Sequence, residues 1–240
     1  MHCVDCVAEA SRAVPPRRTA LGGRARDGRP LVTLTLIGVS SVSYLLQLTT
    51  PAWTSRWAFS PVAGSVQPYR FLTAAFLHSP SSFLHILFNM VALWTVGPLL
   101  EQLLGRARYL TIYLMAAVGG SVGAVLLAPV TDSWNVAIVG ASGAVFGLFG
   151  AILVVLRRVG ADARGILGVI VVNLVIGFVP GLGIAWQAHV GGLVTGLLLG
   201  VAYAHAPAPR RRLVAVAAPV LVGVLLVAST VLTYRAVGLL

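Results

Sequence analysis

Ser142, in the run Gly140-Ala141-Ser142-Gly143, and His189, in Ala188-His189-Val190-Gly191-Gly192, each stand at the head of an apolar stretch of helical length. A hydroxyl and an imidazole are the two parts of an activated nucleophile and its general base. Polar, titratable groups inside membrane-buried helices are costly, rare and generally functional. Brought together, these two would carry out acyl transfer, with the hydroxyl attacking a carbonyl while the imidazole takes its proton. The serine motif is not the nucleophile elbow of soluble hydrolases. Ala144 occupies the place of the last glycine, and no strand-turn-helix context surrounds it. A lone serine in a membrane helix usually bonds its own backbone, so the reading depends on His189.

Other residues bear on the same chemistry. His85 and Asn89, in His85-Ile86-Leu87-Phe88-Asn89, are four apart and share a helix face. They either bond neighbouring helices or line a wet cavity. Asp132 is the only acid near this side and falls in a loop, so a dyad is expected rather than a triad. Without a carboxylate to orient the imidazole, a stacked ring must help, and Phe146, one turn below Ser142, is the candidate. Arg70, among apolar residues, requires acceptors, which the carbonyls of its own loop would supply; a structural job is favoured over substrate binding.

The elements that must hold these groups are membrane helices. The chain of 240 residues is 58% hydrophobic and 10% charged, with mean hydropathy +0.93, whereas soluble domains are about a quarter charged. Apolar stretches near the length of a span fall at 31–50, 83–100, 109–128, 141–156, 163–179, 186–204 and 213–233. Counting at 1.5 Å per residue from the arginines that end the fourth span, Ser142 lies about 22 Å above the inner boundary. His189 lies at about 24 Å by the same rule, so the two share a depth. Gly143, Gly147 and Gly150 on the fourth span and Gly192, Gly196 and Gly200 on the sixth form small-residue faces that permit close approach.

The net charge of +11 comes from arginine alone, with no lysine. Nucleic acid is not the expected partner, because the placement of charge accounts for it. With the N-terminus cytoplasmic, 14 arginines fall on inner segments and only Arg56, Arg70 and Arg235 on outer ones. The expected protein is integral to the cell (inner) membrane, N-terminus inside and C-terminus outside. No cleavable signal peptide is expected, since the first 30 residues carry six arginines and no apolar core. Residues 1–30 form a tail expected to be disordered, residues 31–204 a six-span core with a long, aromatic first outer loop at 51–82, and residues 205–240 a loop, a seventh span and a short outer end. Cys3 and Cys6 make an incomplete Cys-x-x-Cys; two cysteines and His2 do not close a zinc site. No metal and no cofactor are expected.

These residues also carry a resemblance. Tyr69-Arg70-Phe71-Leu72-Thr73, Phe76-Leu77-His78, His85-Ile86-Leu87-Phe88-Asn89-Met90, Glu101-Gln102-Leu103-Leu104-Gly105, Gly140-Ala141-Ser142-Gly143-Ala144-Val145-Phe146-Gly147 and Ala188-His189-Val190-Gly191-Gly192 follow one another over about residues 60–205. In that order they resemble a rhomboid intramembrane serine protease. The resemblance implies an all-α, polytopic six-helix core with one added C-terminal span. It implies Ser142 as nucleophile and His189 as base, with Asn89, His85 and the Ser142 N–H stabilising the oxyanion. Gly140, Gly143, Phe146, Gly192, Gly196, Tyr69 and Arg70 support them. The substrates implied are transmembrane proteins, cut near the outer ends of their spans. Two departures stand out: Tyr69-Arg70 replaces the family's Trp-Arg pair, and Phe146 replaces the tyrosine usual under the catalytic histidine. The cysteine pair resembles the remnant of a zinc-ribbon extension. A catalytically inactive relative that only binds membrane clients is the alternative; a seven-span transporter is disfavoured by the absence of internal repeats.

Overall fold

The computed structural model describes Cys3, Thr19, Leu21, residues 29–179 and residues 181–240. Cys6 and most of the tail, on which the Cys-x-x-Cys reading falls, lie outside the described residues. The helices are α1 (Leu31–Thr49), α2 (Trp53–Trp57), α3 (Pro61–Val66), α4 (Arg70–Thr73), α5 (Phe83–Leu104), α6 (Arg106–Thr131), α7 (Ser142–Arg158), α8 (Arg164–Gly177), α9 (Trp186–His205) and α10 (Arg211–Ala236). Short 3₁₀ turns follow α4 at Ala74–Phe76 and precede α10 at Ala208–Arg210. The protein is an all-helical, polytopic membrane bundle.

Among the described residues five helices are long and apolar enough to cross a bilayer: α1, α5, α6, α9 and the last, counted with its 3₁₀ turn as Ala208–Ala236. The other two expected spans are short. With 17 and 14 residues, α7 and α8 measure about 25 and 21 Å at 1.5 Å per residue, against a hydrocarbon core of about 30 Å. Shortness is tolerable for α7 because protein surrounds it: every residue from Gly143 to Leu153 is buried. By contrast, α8 buries Ile170 and Gly177 and turns most other residues outward.

The ends of helices extend beyond the apolar runs, since charged residues can terminate a span. Helix α5 continues through Pro98 to Leu104, and after Gly105 (φ 84°) α6 starts at Arg106. Glu101 fastens this corner to α1. Its carboxylate accepts from the N–H groups of Val32 (3.2 Å) and Thr33 (3.0 Å) and pairs with Arg106 at 3.2 Å. Helix α1 has no side-chain cap of its own, and an acid from another span satisfies its first-turn donors.

The bundle's centre is a contact of three backbones, α6, α7 and α9. A Cβ on Gly196 would lie 1.9 Å from the carbonyl oxygen of Gly147, and one on Gly192 would lie 1.9 Å from that of Gly143. No side chain fits there, so the helices approach as closely as backbone permits. The long segment 51–82 is more ordered than a plain loop, because three short helices and a 3₁₀ turn fold it onto the bundle end. Ser60 starts α3, its hydroxyl accepting from Ala63 N at 3.2 Å with Pro61 in the first helical position.

Candidate active site

Helix α7 begins at Ser142. Its hydroxyl stands at the N-terminal end of a buried helix, where the first backbone N–H groups have no intrahelical acceptor and the helix dipole favours negative charge. Ser142 is half-buried, while the eleven residues after it are buried. The serine is thus the part of α7's first turns that remains reachable.

His189 is in the first turn of α9 and buried. Its ring lies on that of Phe146, with centroids 4.2 Å apart and planes 12° from parallel. Four residues separate Phe146 from Ser142, so the imidazole rests on the helix face that the serine heads. Contact between Gly192 and Gly143 fixes the same approach from the backbone. Among the described residues no hydrogen bond joins Ser142 to His189, and Nδ1 of His189 is buried with no partner. Asp132 caps the end of α6 in a left-handed conformation (φ 49°) and is exposed. No carboxylate among the described residues orients the imidazole; Phe146 supplies the surface that does.

The second histidine is held differently. His85 accepts a hydrogen bond at Nδ1 from the backbone N–H of Ser79 at 3.0 Å. A neutral imidazole that accepts at Nδ1 carries its proton on Nε2. That nitrogen faces Gly140: a Cβ there would lie 2.9 Å from His85 Nε2 and 3.6 Å from Ser142 Oγ. Gly140 also has φ +132°, a conformation that other residues rarely adopt. Space and torsion both require glycine, and its N–H donates to Ala74 O at 3.0 Å. An N–H donor therefore points into the space next to the serine hydroxyl.

Asn89 is buried one turn along α5, and its Nδ2 donates to His85 O at 2.8 Å. One of its two amide hydrogens is thereby used on its own helix. Tyr69 and Arg70 stand apart from the serine. Tyr69 is exposed and packs edge-on against Trp57 at 5.6 Å. Arg70 donates to the carbonyls of Ser55 (2.7 Å) and Ala58 and to the side chain of Gln67. The arginine ties 51–82 together and does not reach the dyad.

Several residues around the site have surroundings that no local sequence pattern specifies. His78 is fully buried, 5.4 Å from the His85 ring, with neither ring nitrogen hydrogen-bonded among the described residues. Burial, and secondarily the neighbouring His85, pushes its pKa down to about 3. Gln47 of α1 clasps the His78 backbone, accepting from its N–H at 2.8 Å and donating to its carbonyl at 2.7 Å. On α6, Gly119 and Gly123 admit the backbone of α9 at Gly191.

A helical membrane bundle with a serine at the head of a short, encased helix and a histidine stacked beside it defines the class of the protein. Comparison with known sequences gives the family. The Rhomboid domain model matches residues 65–206, and the chain belongs to the rhomboid family. It is 36% identical over 142 residues to Rhomboid protease GluP of Bacillus subtilis, covering 56% of this chain and 26% of that protein. It is 35% identical over 140 residues to RHOMBOID-like protein 5 of Arabidopsis thaliana, covering 55% and 43%. Rhomboid protease GlpG of Yersinia pseudotuberculosis is 30% identical over 178 residues, covering 71% and 61%. The chain thus spans less than two thirds of the length of these relatives.

Proposed function

We propose that this protein is an active intramembrane serine protease that cuts transmembrane proteins near the Ser142 end of the bilayer by a Ser142–His189 dyad. The observation that carries the reading is the stack of Phe146 on His189 at 4.2 Å and 12°, on the helix face headed by Ser142. The names of GluP and GlpG as rhomboid proteases support it.

With Nδ1 of His189 enclosed by protein, Nε2 is the nitrogen that takes the proton as Ser142 Oγ attacks the scissile carbonyl. The oxyanion forms beside the Ser142 N–H and His85 Nε2–H, with the remaining Nδ2 hydrogen of Asn89 as a third donor. The histidine then returns its proton to the leaving amine, and water hydrolyses the acyl-enzyme. Water must reach the serine, which suits a nucleophile at the head of a short helix. A substrate helix has to unwind to present its carbonyl, so helix-breaking residues near the cut are expected.

The arginines support an orientation. Fourteen of the 17 lie in the N-terminal tail and at or near the helix ends opposite Ser142, which supports a cytoplasmic location for that end. In a bacterial cell the membrane is the inner one, with the catalytic end and the C-terminus outside. Residues 31–204 then form the catalytic core, 1–30 a cytoplasmic tail and 205–240 the seventh span with its flanks.

The alternative, an inactive client-binding relative, has no specific observation in its favour. Labelling by a fluorophosphonate probe, together with cleavage of a model transmembrane substrate in detergent, separates the two. Active enzyme is labelled and cuts, and both activities vanish in Ser142→Ala and His189→Ala. A folded wild-type chain that binds substrate but is neither labelled nor able to cut overturns the proposal.

A further inference from the structure

Helix α10 is the least embedded of the long helices, with Val222 and Tyr234 as its buried residues. Val222 lies mid-helix; Tyr234 lies at the end of the bundle shared with Ser142. Tyr234 is 2% exposed and donates its hydroxyl to Pro61 O at 2.7 Å. It belongs to a small buried cluster with Phe59, Ala74, Ala124 and Val125, against which Phe71, Trp134, Ile138 and Leu239 pack. Gly64 is bare beneath it, since a Cβ there would meet Phe59 at 2.6 Å and the Tyr234 hydroxyl at 3.0 Å. A helix that otherwise packs through apolar residues such as Val214, Ala218, Val222 and Leu226 thus commits one polar aromatic side chain to the segment between the first two spans.

That segment is joined to the serine's own loop. Phe59 and Ile138 exchange both backbone hydrogen bonds, at 3.1 and 2.7 Å, and Val62 N donates to Trp134 O at 3.1 Å. Ile138 is two residues before Gly140, which sits against His85 Nε2, and four before Ser142. Two backbone pairings therefore connect what Tyr234 holds to what aligns the oxyanion donor with the nucleophile.

We infer that Tyr234 of the seventh helix is a positioning residue for the reaction proposed above: it pins Pro61 and Phe59, and through the Phe59–Ile138 pairing holds residues 138–142 in register with His85. It touches no reacting atom. The inference rests on the proposed protease reading, but its structural half can be tested without turnover.

The experiment uses the full chain in detergent and compares wild type, Tyr234→Phe, Tyr234→Ala and Val227→Ala, the last a change on the exposed face of α10. Hydrogen–deuterium exchange is followed at 56–64, at 134–141 and within α7, with kcat and KM for a transmembrane substrate. Tyr234→Phe is expected to speed exchange at 56–64 and 134–141 while leaving α7 unchanged, and to lower kcat about threefold to tenfold at constant KM, the size of effect one lost hydrogen bond gives. Tyr234→Ala is expected to lower kcat on the order of 10²-fold, as a displaced catalytic loop does. Val227→Ala is expected to match wild type.

Wild-type exchange at 134–141 in both Tyr234 variants overturns the inference. So does an exchange increase that includes α7, which would make Tyr234 a general stability residue, or unchanged kcat with a loosened loop. A wild-type chain that does not cut defeats the protease reading instead, and the exchange arm still reports whether Tyr234 holds 134–141.

Discussion

The ring of Phe146 lies under the imidazole of His189 at 4.2 Å, with planes only 12° from parallel. Phe146 is itself 3% exposed and touches Phe149 edge-on at 5.8 Å, so the platform cannot swing away. In a site where no carboxylate among the described residues binds the histidine, this face limits the ring's tilt, and in the proposed mechanism it is what presents Nε2 to the hydroxyl one turn up.

Removing the flat face should therefore slow catalysis without unfolding the bundle. Phe146→Leu keeps apolar volume but loses the stack, and kcat is expected to fall about threefold to tenfold, the size of an aromatic pair contribution. Phe146→Tyr keeps the ring and is expected to stay active. Steady-state cleavage and probe-labelling rates check this, and a Phe146→Leu enzyme as fast as wild type would remove the stack from the account.

The two side-chain donors of the proposed oxyanion site, His85 and Asn89, should not be equivalent. His85 Nε2 carries its hydrogen toward the serine, because Ser79 N–H occupies Nδ1 at 3.0 Å. Asn89 already spends one Nδ2 hydrogen on His85 O. Loss of a fully aligned donor costs about 10²–10³ in kcat, which is the drop expected for His85→Ala. Asn89→Ala is expected to lose less in kcat, and KM should hold nearly constant in both. Single-turnover kinetics on the two variants check the order, and a larger loss for Asn89→Ala would reverse the assignment of the principal donor.

Where the backbones of α7 and α9 touch, one methyl group should be enough to disable the site. A Cβ on Gly196 would lie 1.9 Å from the carbonyl oxygen of Gly147 and 2.4 Å from its Cα. Backbone cannot yield as a flexible side chain does. Overpacking costs about 1–3 kcal/mol, so Gly196→Ala should lower the thermal midpoint and the cleavage rate together. Gly38→Ala is the control: nothing lies within 4 Å of its Cβ position, and alanine favours a helix by up to about 1 kcal/mol.

How much of this was legible in the sequence follows from how local each signal is. The short helix α7, the fourth expected span, could be read because an apolar run is framed by Ser142 and by Arg157. The Phe146–His189 contact followed from four-residue spacing and from two glycine faces. Tyr234 was not legible, because its partner Pro61 is 173 residues away and no local pattern marks either. The same holds for Glu101, which caps α1 from 68 residues away at Thr33. Segment 51–82 read as one interfacial loop because its prolines break any apolar period. Yet Pro61 starts a helix, a use of proline that depends on the Ser60 cap just before it. The depth of His78 was hidden as well, since a histidine between loop residues looks the same on paper whether wet or dry.

That dryness sets a dependence on pH. His78 is wholly buried with no hydrogen-bond partner at either nitrogen among the described residues, and its pKa is pushed down to about 3 by burial first and His85 second. In the unfolded chain it would titrate near the ordinary histidine value of about 6.5. Between those values the unfolded state binds the extra proton, so stability rises with pH through this window and falls as the solution is acidified. Above about pH 6.5 the group is neutral in both states and contributes no slope. Below it, this one residue removes up to about 1.4 kcal/mol per pH unit. Thermal midpoints in detergent from pH 7.5 down to 4.5 should fall more steeply for wild type than for His78→Asn, whose side chain does not titrate. Gln47→Ala, which releases the His78 backbone from its two hydrogen bonds at 2.7 and 2.8 Å, should lower the midpoint already at pH 7.5 and flatten the acid limb, because a loosened segment lets water reach the imidazole. Parallel profiles for wild type and His78→Asn would mean that this histidine is not the group whose protonation opens the segment in acid.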